Sequence, residues 1–190
     1  TPLYSSAASD VYKRQVHFSP KTESSRCFAG VEWSGVPLKP ISSAESSNLD
    51  VEVRWLDSSG VPLDPGRLAQ GTSFWGHFRV KSTWERKRRI RNLALIQVMP
   101  SGWEIDNLRL FGDELPAWME GFRVNREDYL DIRDDRVIWF FDLNQEYLDF
   151  VVKVTAVVPG DYVLPTTLAE GMYDNRFHAE VPGKSVSVTD

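Results

Sequence analysis

A single cysteine, Cys27, is all the thiol chemistry this chain of 190 residues has. One cysteine excludes an internal disulfide framework and a zinc site built on four cysteines. The three histidines, His17, His77 and His178, lie far apart, with no helical i, i+4 pair and no carboxylate pattern around them. Each is therefore expected to be a surface strand residue rather than a metal ligand. Long apolar runs are missing, so no segment is suited to cross a bilayer as a helix. Positive charge is not in excess either: the net charge of −5 argues against a nucleic-acid binder driven by phosphate contacts. No glycine-rich phosphate loop, GxSxG elbow or SxxK motif occurs, and an enzyme is not expected. A start methionine and a signal peptide are absent, so the chain does not carry its own address.

What is present suits one medium domain, or one domain with part of a neighbour. Of the residues, 42% are hydrophobic and 26% charged, enough for a core and a soluble surface. The segment SSAASDVYKRQ, Ser5–Gln15, resembles the translation of a transposase adaptor used in preparing sequencing libraries. Residues 1–15 are set aside as an artefactual tail, and the chain is expected to be a metagenomic fragment of a longer protein.

Beyond the tail, strand signals dominate. Leu49, Val51, Val53 and Trp55 alternate with Asp50, Glu52 and Arg54, the period of a half-buried strand. Phe74, Gly76, Phe78 and Val80 do the same against Trp75, His77 and Arg79. Further runs are 92–99, 103–110, 136–143, 149–158, 161–173, 177–181 and 184–188. Turn signals such as DSSG, DPGR, PSG and PGD separate them, which describes an antiparallel sandwich. LPAWMEGF, Leu115–Phe122, fits one helical turn on a long loop. SSAESSN, Ser42–Asn48, reads as a flexible linker. The expected organisation is a tail at 1–15, a remnant of a preceding domain with its linker at 16–41, and the sandwich at 46–190.

Three stretches invite a chemical reading. DYLDIRDDRVIWFFDL, Asp128–Leu143, crowds five aspartates against two arginines. A hard-cation loop would need alternating carboxylates and a glycine at its bend, and neither is there. An acid/base pair needs environments that push two pKa values apart, whereas Arg133 and Arg136 would hold the acids ionised. The expected role is a tight turn on Asp134 and Asp135 feeding a buried strand. WERKRRIR, Trp84–Arg91, reads as a solvated hairpin with cations guarding an edge. In AEGMYDN, Ala169–Asn175, Gly171 breaks the strand and a soft thioether and an amphipathic ring follow. From residue type alone, Met172 and Tyr173 could be core residues at a strand end or an adaptable contact surface.

Several blocks in register resemble one family. They are SGVPL (Ser34–Leu38), QGTSF (Gln70–Phe74), NLALIQVMPSGWEIDNLRL (Asn92–Leu110), YLDIRDDRV (Tyr129–Val137), PGDYVLPTTLAEGMYD (Pro159–Asp174) and PGKSVSV (Pro182–Val188). Together, over Phe28–Asp190, they are similar to the C-terminal, tenth macroglobulin-like domain of bacterial alpha-2-macroglobulins. The resemblance implies an all-β fold: an antiparallel macroglobulin-like sandwich, akin to fibronectin and immunoglobulin domains, with a preceding extra strand around Gly30–Leu38.

It also implies a non-catalytic domain of a protease trap, without cofactor or metal. In such a trap, proteolysis of a bait region exposes a thioester. The family's thioester motif is Cys-x-Glu-Gln, whereas Cys27 is followed by Phe28, Ala29 and Gly30, so Cys27 is not that cysteine. The implied partners are the thioester domain and the preceding domain of the same parent chain, and proteases through the full-length protein. The implied location is the periplasm, with any membrane attachment through a lipid anchor in the missing N-terminus. Met172 and Tyr173 map onto a dipeptide that covers the thioester. Gly102, Trp103, Asp131, Arg133, Asp134, Asp135 and Arg136 map onto signature positions of structural type. Two other readings stand beside this one: a generic β-sandwich binding or adhesion module, and a carboxylate-dependent hydrolase or metal protein built on the aspartate cluster.

Overall fold

Strands account for most of the described chain, and alternation at period two writes the long ones. The structure, a computed structural model, describes residues 44–85, 89–106, 116–120, 122 and 129–190. All of them belong to one compact unit, Pro37–Asp190. The expected tail and preceding-domain remnant, with His17 and Cys27, lie outside the described residues. In chain order the strands are Ser46–Ser47 (β1), Leu49–Leu56 (β2), Arg67–Ala69 (β3), Ser73–Ser82 (β4), Ile90–Val98 (β5), Trp103–Asp106 (β6), Tyr129–Ile132 (β7), Arg136–Leu143 (β8), Tyr147–Ala156 (β9), Gly160–Leu164 (β10), Thr167–Gly171 (β11), His178–Val181 (β12) and Lys184–Thr189 (β13).

They form three sheets: a six-stranded one ordered β1-β12-β11-β5-β8-β7, a four-stranded one ordered β2-β4-β9-β6, and a three-stranded one ordered β10-β13-β3. Strand pairs are antiparallel except β13 with β3, which is parallel. In β8 every second residue is buried, so Val137, Trp139, Phe141 and Leu143 point inward. Opposite them β4 and β9 present Phe78, Val80, Leu148 and Phe150. Trp139 sits 5.4 Å from Phe78 and 5.7 Å from Phe150, and Phe141 4.6 Å from Phe150, so aromatic rings join the two larger sheets. The all-β sandwich is therefore the observed fold.

Gly102 and Trp103 anchor one end. The Trp103 ring is buried and meets Trp55 and Phe74 edge-on at 5.2 and 4.9 Å. A Cβ on Gly102 would lie 2.3 Å from Cε2 of Tyr162, so only glycine fits under that ring. The Tyr162 hydroxyl donates to the Val158 carbonyl four residues upstream at 3.1 Å, in the manner of a tyrosine corner.

Three expectations need correction, and two strands went unread. The run expected as one strand at 161–173 splits at Pro165 into β10 and β11, which lie in different sheets; proline has no N–H to continue a ladder. Ser46 and Ser47 are not linker but pair with Ala179 and His178, because the polar edge strand costs no buried surface. The short strands β3 and β7 escape the hydrophobic pattern altogether. Trp75 and His77 are buried although they point away from the core. The cause is a 3₁₀ turn at Ala117–Met119, within the segment expected to hold one helical turn. Its Trp118, Met119 and Phe122 close over Leu56, Trp75 and Val151, and Phe122 stacks on the His77 ring at 4.4 Å.

Candidate functional site

The turn between β11 and β12 is built to hold a protruding tip. At its base the Gly171 N–H donates to the Phe177 carbonyl at 2.8 Å, and the Phe177 N–H returns to the Asp174 carbonyl at 3.1 Å. Gly171 has no alternative residue here, since a Cβ would meet the Asp174 carbonyl oxygen at 2.6 Å. Asp174 binds the Arg176 guanidinium through both oxygens, at 2.6 and 2.9 Å for the closest pairs. That hydrogen bonding holds the Asp174 carboxyl below its usual range and the Arg176 guanidinium above its own. Asn48 Nδ2 donates to the Arg176 carbonyl at 2.8 Å. Phe177 is buried and meets Trp84 edge-on at 5.2 Å, which roots the turn in the core.

Between these anchors Met172 and Tyr173 stand in solvent, 44% and 81% exposed. They are not the core residues that residue type alone allowed. Tyr173 is the most exposed large hydrophobic side chain among the described residues. A soft thioether thus stands beside a bare phenol on a turn tied at both ends.

The aspartate cluster resolves into a charged turn. Asp131 accepts from Arg133 Nε at 2.9 Å, and Asp135 from Arg136 Nη2 at 2.6 Å. The Arg136 hydrogen bond holds the Asp135 carboxyl below its usual range. The Arg133 N–H donates to the Arg136 carbonyl at 2.9 Å, and the Met99 N–H to the Asp135 carbonyl at 2.8 Å, tying the β7–β8 turn to the end of β5. Asp134 is exposed. Asp128 lies outside the described residues. Among the described residues no three His, Cys, Asp or Glu side chains converge in a way that could hold a metal ion.

A separate buried cluster went unread in the sequence. His77 Nε2 donates to Asp149 Oδ1 at 2.7 Å, and Arg79 Nε donates to the same oxygen at 2.8 Å. The partners of this histidine are thus a carboxylate, shared with a guanidinium, and the Phe122 ring. A hollow of about 470 Å³ lies between Met99–Ser101, the Asp134–Asp135 turn and Tyr162–Val163, and a second of about 390 Å³ lies among Ser82–Glu85 and Asn144–Glu146. Among the described residues neither is lined by a histidine, cysteine or lysine.

The comparisons with known proteins agree with the fold. The family model described as the bacterial alpha-2-macroglobulin MG10 domain matches residues 49–175, about two thirds of the chain. The chain belongs to this MG10 domain family. An alpha-2-macroglobulin homolog of Yersinia pestis is 27% identical over 170 residues, covering 81% of this chain and 8% of its own length. An alpha-2-macroglobulin of Xylella fastidiosa is 32% identical over 158 residues, covering 77% of this chain and 9% of its own length. Among solved structures, Salmonella alpha-2-macroglobulin reacted with methylamine aligns with a TM-score of 0.69 at 22% identity, over 82% of this chain and 10% of that one. This last likeness shows the MG10 fold. The chain spans less than a tenth of the length of these curated relatives.

Proposed function

We propose that this MG10 domain serves as a non-catalytic cover within a longer bacterial alpha-2-macroglobulin, packing on the thioester domain of its parent. The observation that carries the reading is the Met172–Tyr173 tip, exposed at 44% and 81% on a turn tied at both ends. A strained acyl group survives only while water and amines are kept from it, and an aromatic ring with a polarisable thioether makes a dry, conformable lid. Tyr173 supplies the flat apolar body and Met172 fills what the ring leaves open. The Salmonella relative has been reacted with methylamine, a small amine of the kind such a lid would exclude. The parent acts against proteases in the periplasm, with any membrane attachment through a lipid anchor outside this chain.

The test uses a full-length member of the family carrying the substitutions equivalent to Met172→Ala and Tyr173→Ala. Methylamine uptake before protease cleavage should rise several-fold in each. Uptake equal to the parent's in both would end the shielding role.

A further inference from the structure

We infer that Asp142 is the residue that places the Met172–Tyr173 tip, acting through the backbone of Asn92. The consequence for shielding rests on the function proposed above; the placement itself rests on geometry alone.

The geometry begins with a mismatch between β5 and β8. Ile90 faces Leu143 and Leu93 faces Phe141, so three steps along β5 match two along β8. The extra residue makes a β-bulge, and a bulge leaves one backbone group outside the ladder. Asn92 takes the strain, with φ of 55° in the left-handed region that asparagine tolerates better than most side chains. Its N–H is donated to Asp142 Oδ1 at 2.7 Å. The other carboxylate oxygen, Oδ2, accepts from Arg89 Nη2 at 2.6 Å and Nε at 3.1 Å. One side chain from β8 thus grips the bulge at Asn92 and the residue just before β5.

What the bulge does is turn the Asn92 carbonyl toward the neighbouring strand. That carbonyl accepts the Met172 N–H at 2.9 Å, directly beyond the last β11–β5 pair, Gly171 with Leu93. The chain leaves the sheet there, so the direction of this bond sets where the tip departs. The path is continuous: Asp142 carboxylate, Asn92 peptide groups, Met172 amide, tip. Without the carboxylate the Asn92 N–H loses its acceptor. The bulge is then free to relax, and any change of register rotates the groups that follow it. Asp142 belongs to the aspartate-rich stretch, but Asp131 and Asp135 there are engaged by Arg133 and Arg136 at the β7–β8 turn.

Amide hydrogen exchange on the whole 190-residue chain tests the placement. Asp142→Ala should speed exchange at Asn92 and Met172 about tenfold, the scale of one lost hydrogen bond. The core amides of Phe78 and Val152 should keep their parent rates. Asp142→Asn retains an acceptor oxygen and should restore Met172 most of the way, which a loss of general stability would not do. Should Asp142→Ala fail to fold, Asp142→Gln displaces the acceptor by one methylene and carries the same local expectation in weaker form. An unchanged Met172 amide, or equal acceleration at Phe78 and Val152, would overturn the inference.

Methylamine uptake by a full-length relative separates it from the shielding role. If the equivalent of Asp142→Ala loosens the tip while uptake by the Tyr173→Ala equivalent stays at the parent level, Asp142 places the tip and the shielding role fails. If uptake rises with Tyr173→Ala while Met172 is indifferent to Asp142→Ala, shielding stands and the placement by Asp142 is wrong.

Discussion

His77 and Asp149 form a buried pair on the outer side of the four-stranded sheet, Nε2 to Oδ1 at 2.7 Å, with only 2% and 0% of their surfaces exposed. Arg79 shares the same carboxylate and lies over the Tyr147 ring at 4.3 Å. Removing the carboxylate leaves the buried imidazole N–H of His77 without its acceptor, while the Arg79 side chain, 26% exposed, can turn to water. Asp149→Ala should therefore cost about 3 kcal/mol in chemical denaturation, the scale for breaking a buried ion pair from one side. A loss below about 1 kcal/mol would show that water enters beneath Phe122 and replaces the carboxylate.

The contact of Gly102 with Tyr162 predicts a second effect. Gly102→Ala must push the Tyr162 ring aside, and overpacking of this kind costs about 1 to 3 kcal/mol. Tyr162→Phe removes only the hydroxyl, which the Val158 and Pro159 carbonyls share at 3.1 and 3.3 Å, and should cost about 1 kcal/mol. In Tyr162→Ala the alanine at 102 has room, so the double variant should be less destabilised than the sum of the singles. Additive losses would show that the ring does not constrain residue 102.

Acid titration should report on the ladder formed by Asp50, Glu52 and Lys81. Lys81 Nζ lies 2.8 Å from Asp50 and 3.1 Å from Glu52. Its hydrogen bond holds the Glu52 carboxyl below the ordinary value of 4.5. A carboxyl lowered on folding contributes stability that is present above its unfolded value and lost as pH falls through the folded one. Lys81→Met should therefore flatten the fall in unfolding free energy below pH about 4.5, by no more than about 0.5 kcal/mol because both groups are well exposed. At the alkaline end Lys81 is raised above 10.5, chiefly by Asp50, so its contribution fades only as pH climbs through that raised value. An acid limb identical in the parent and Lys81→Met would remove the ladder from the account.

Calcium, magnesium and zinc should each leave the melting temperature unchanged. The carboxylates of Asp131 and Asp135 already face Arg133 and Arg136. A cation bound to the native state must stabilise it, so a concentration-dependent upward shift would restore the metal reading.

Much of this was legible because burial on one face leaves a period-two trace. Val51 and Trp55, Phe78 and Val80, Phe150 and Val152 were readable as inward residues from alternation alone. The same rule failed at Trp75 and His77, whose side of the sheet is covered by a turn more than 30 residues further along the chain. A local pattern has no means of recording that cover. The aspartate-rich turn was readable from its interleaved arginines, since neighbours in sequence were also partners in space. For the tip, residue type marked Met172 and Tyr173 without saying that they face solvent. The Asn92 bulge left one faint signal, an asparagine that with Arg91 interrupts the apolar run of β5. Its partner Asp142 is 50 residues away, and only the register of β5 against β8 brings them together.

The parallel pairing of β13 with β3 also bears on how the chain reaches its native state. Ser187, Val188 and Thr189 align with Arg67, Leu68 and Ala69, and β13 is the middle strand of its sheet. The bonds from the Ser187 and Thr189 hydroxyls to the Gly66 and Leu68 carbonyls span 121 residues of sequence, so the ring they close is entropically among the most expensive in the domain. Until β13 arrives, Leu68, Val186, Val188 and the facing side of β10 have no common core to enter. Such a sandwich is expected to fold slowly, with its final cooperative step waiting on one late strand, and to expose aggregation-prone edges in the interval.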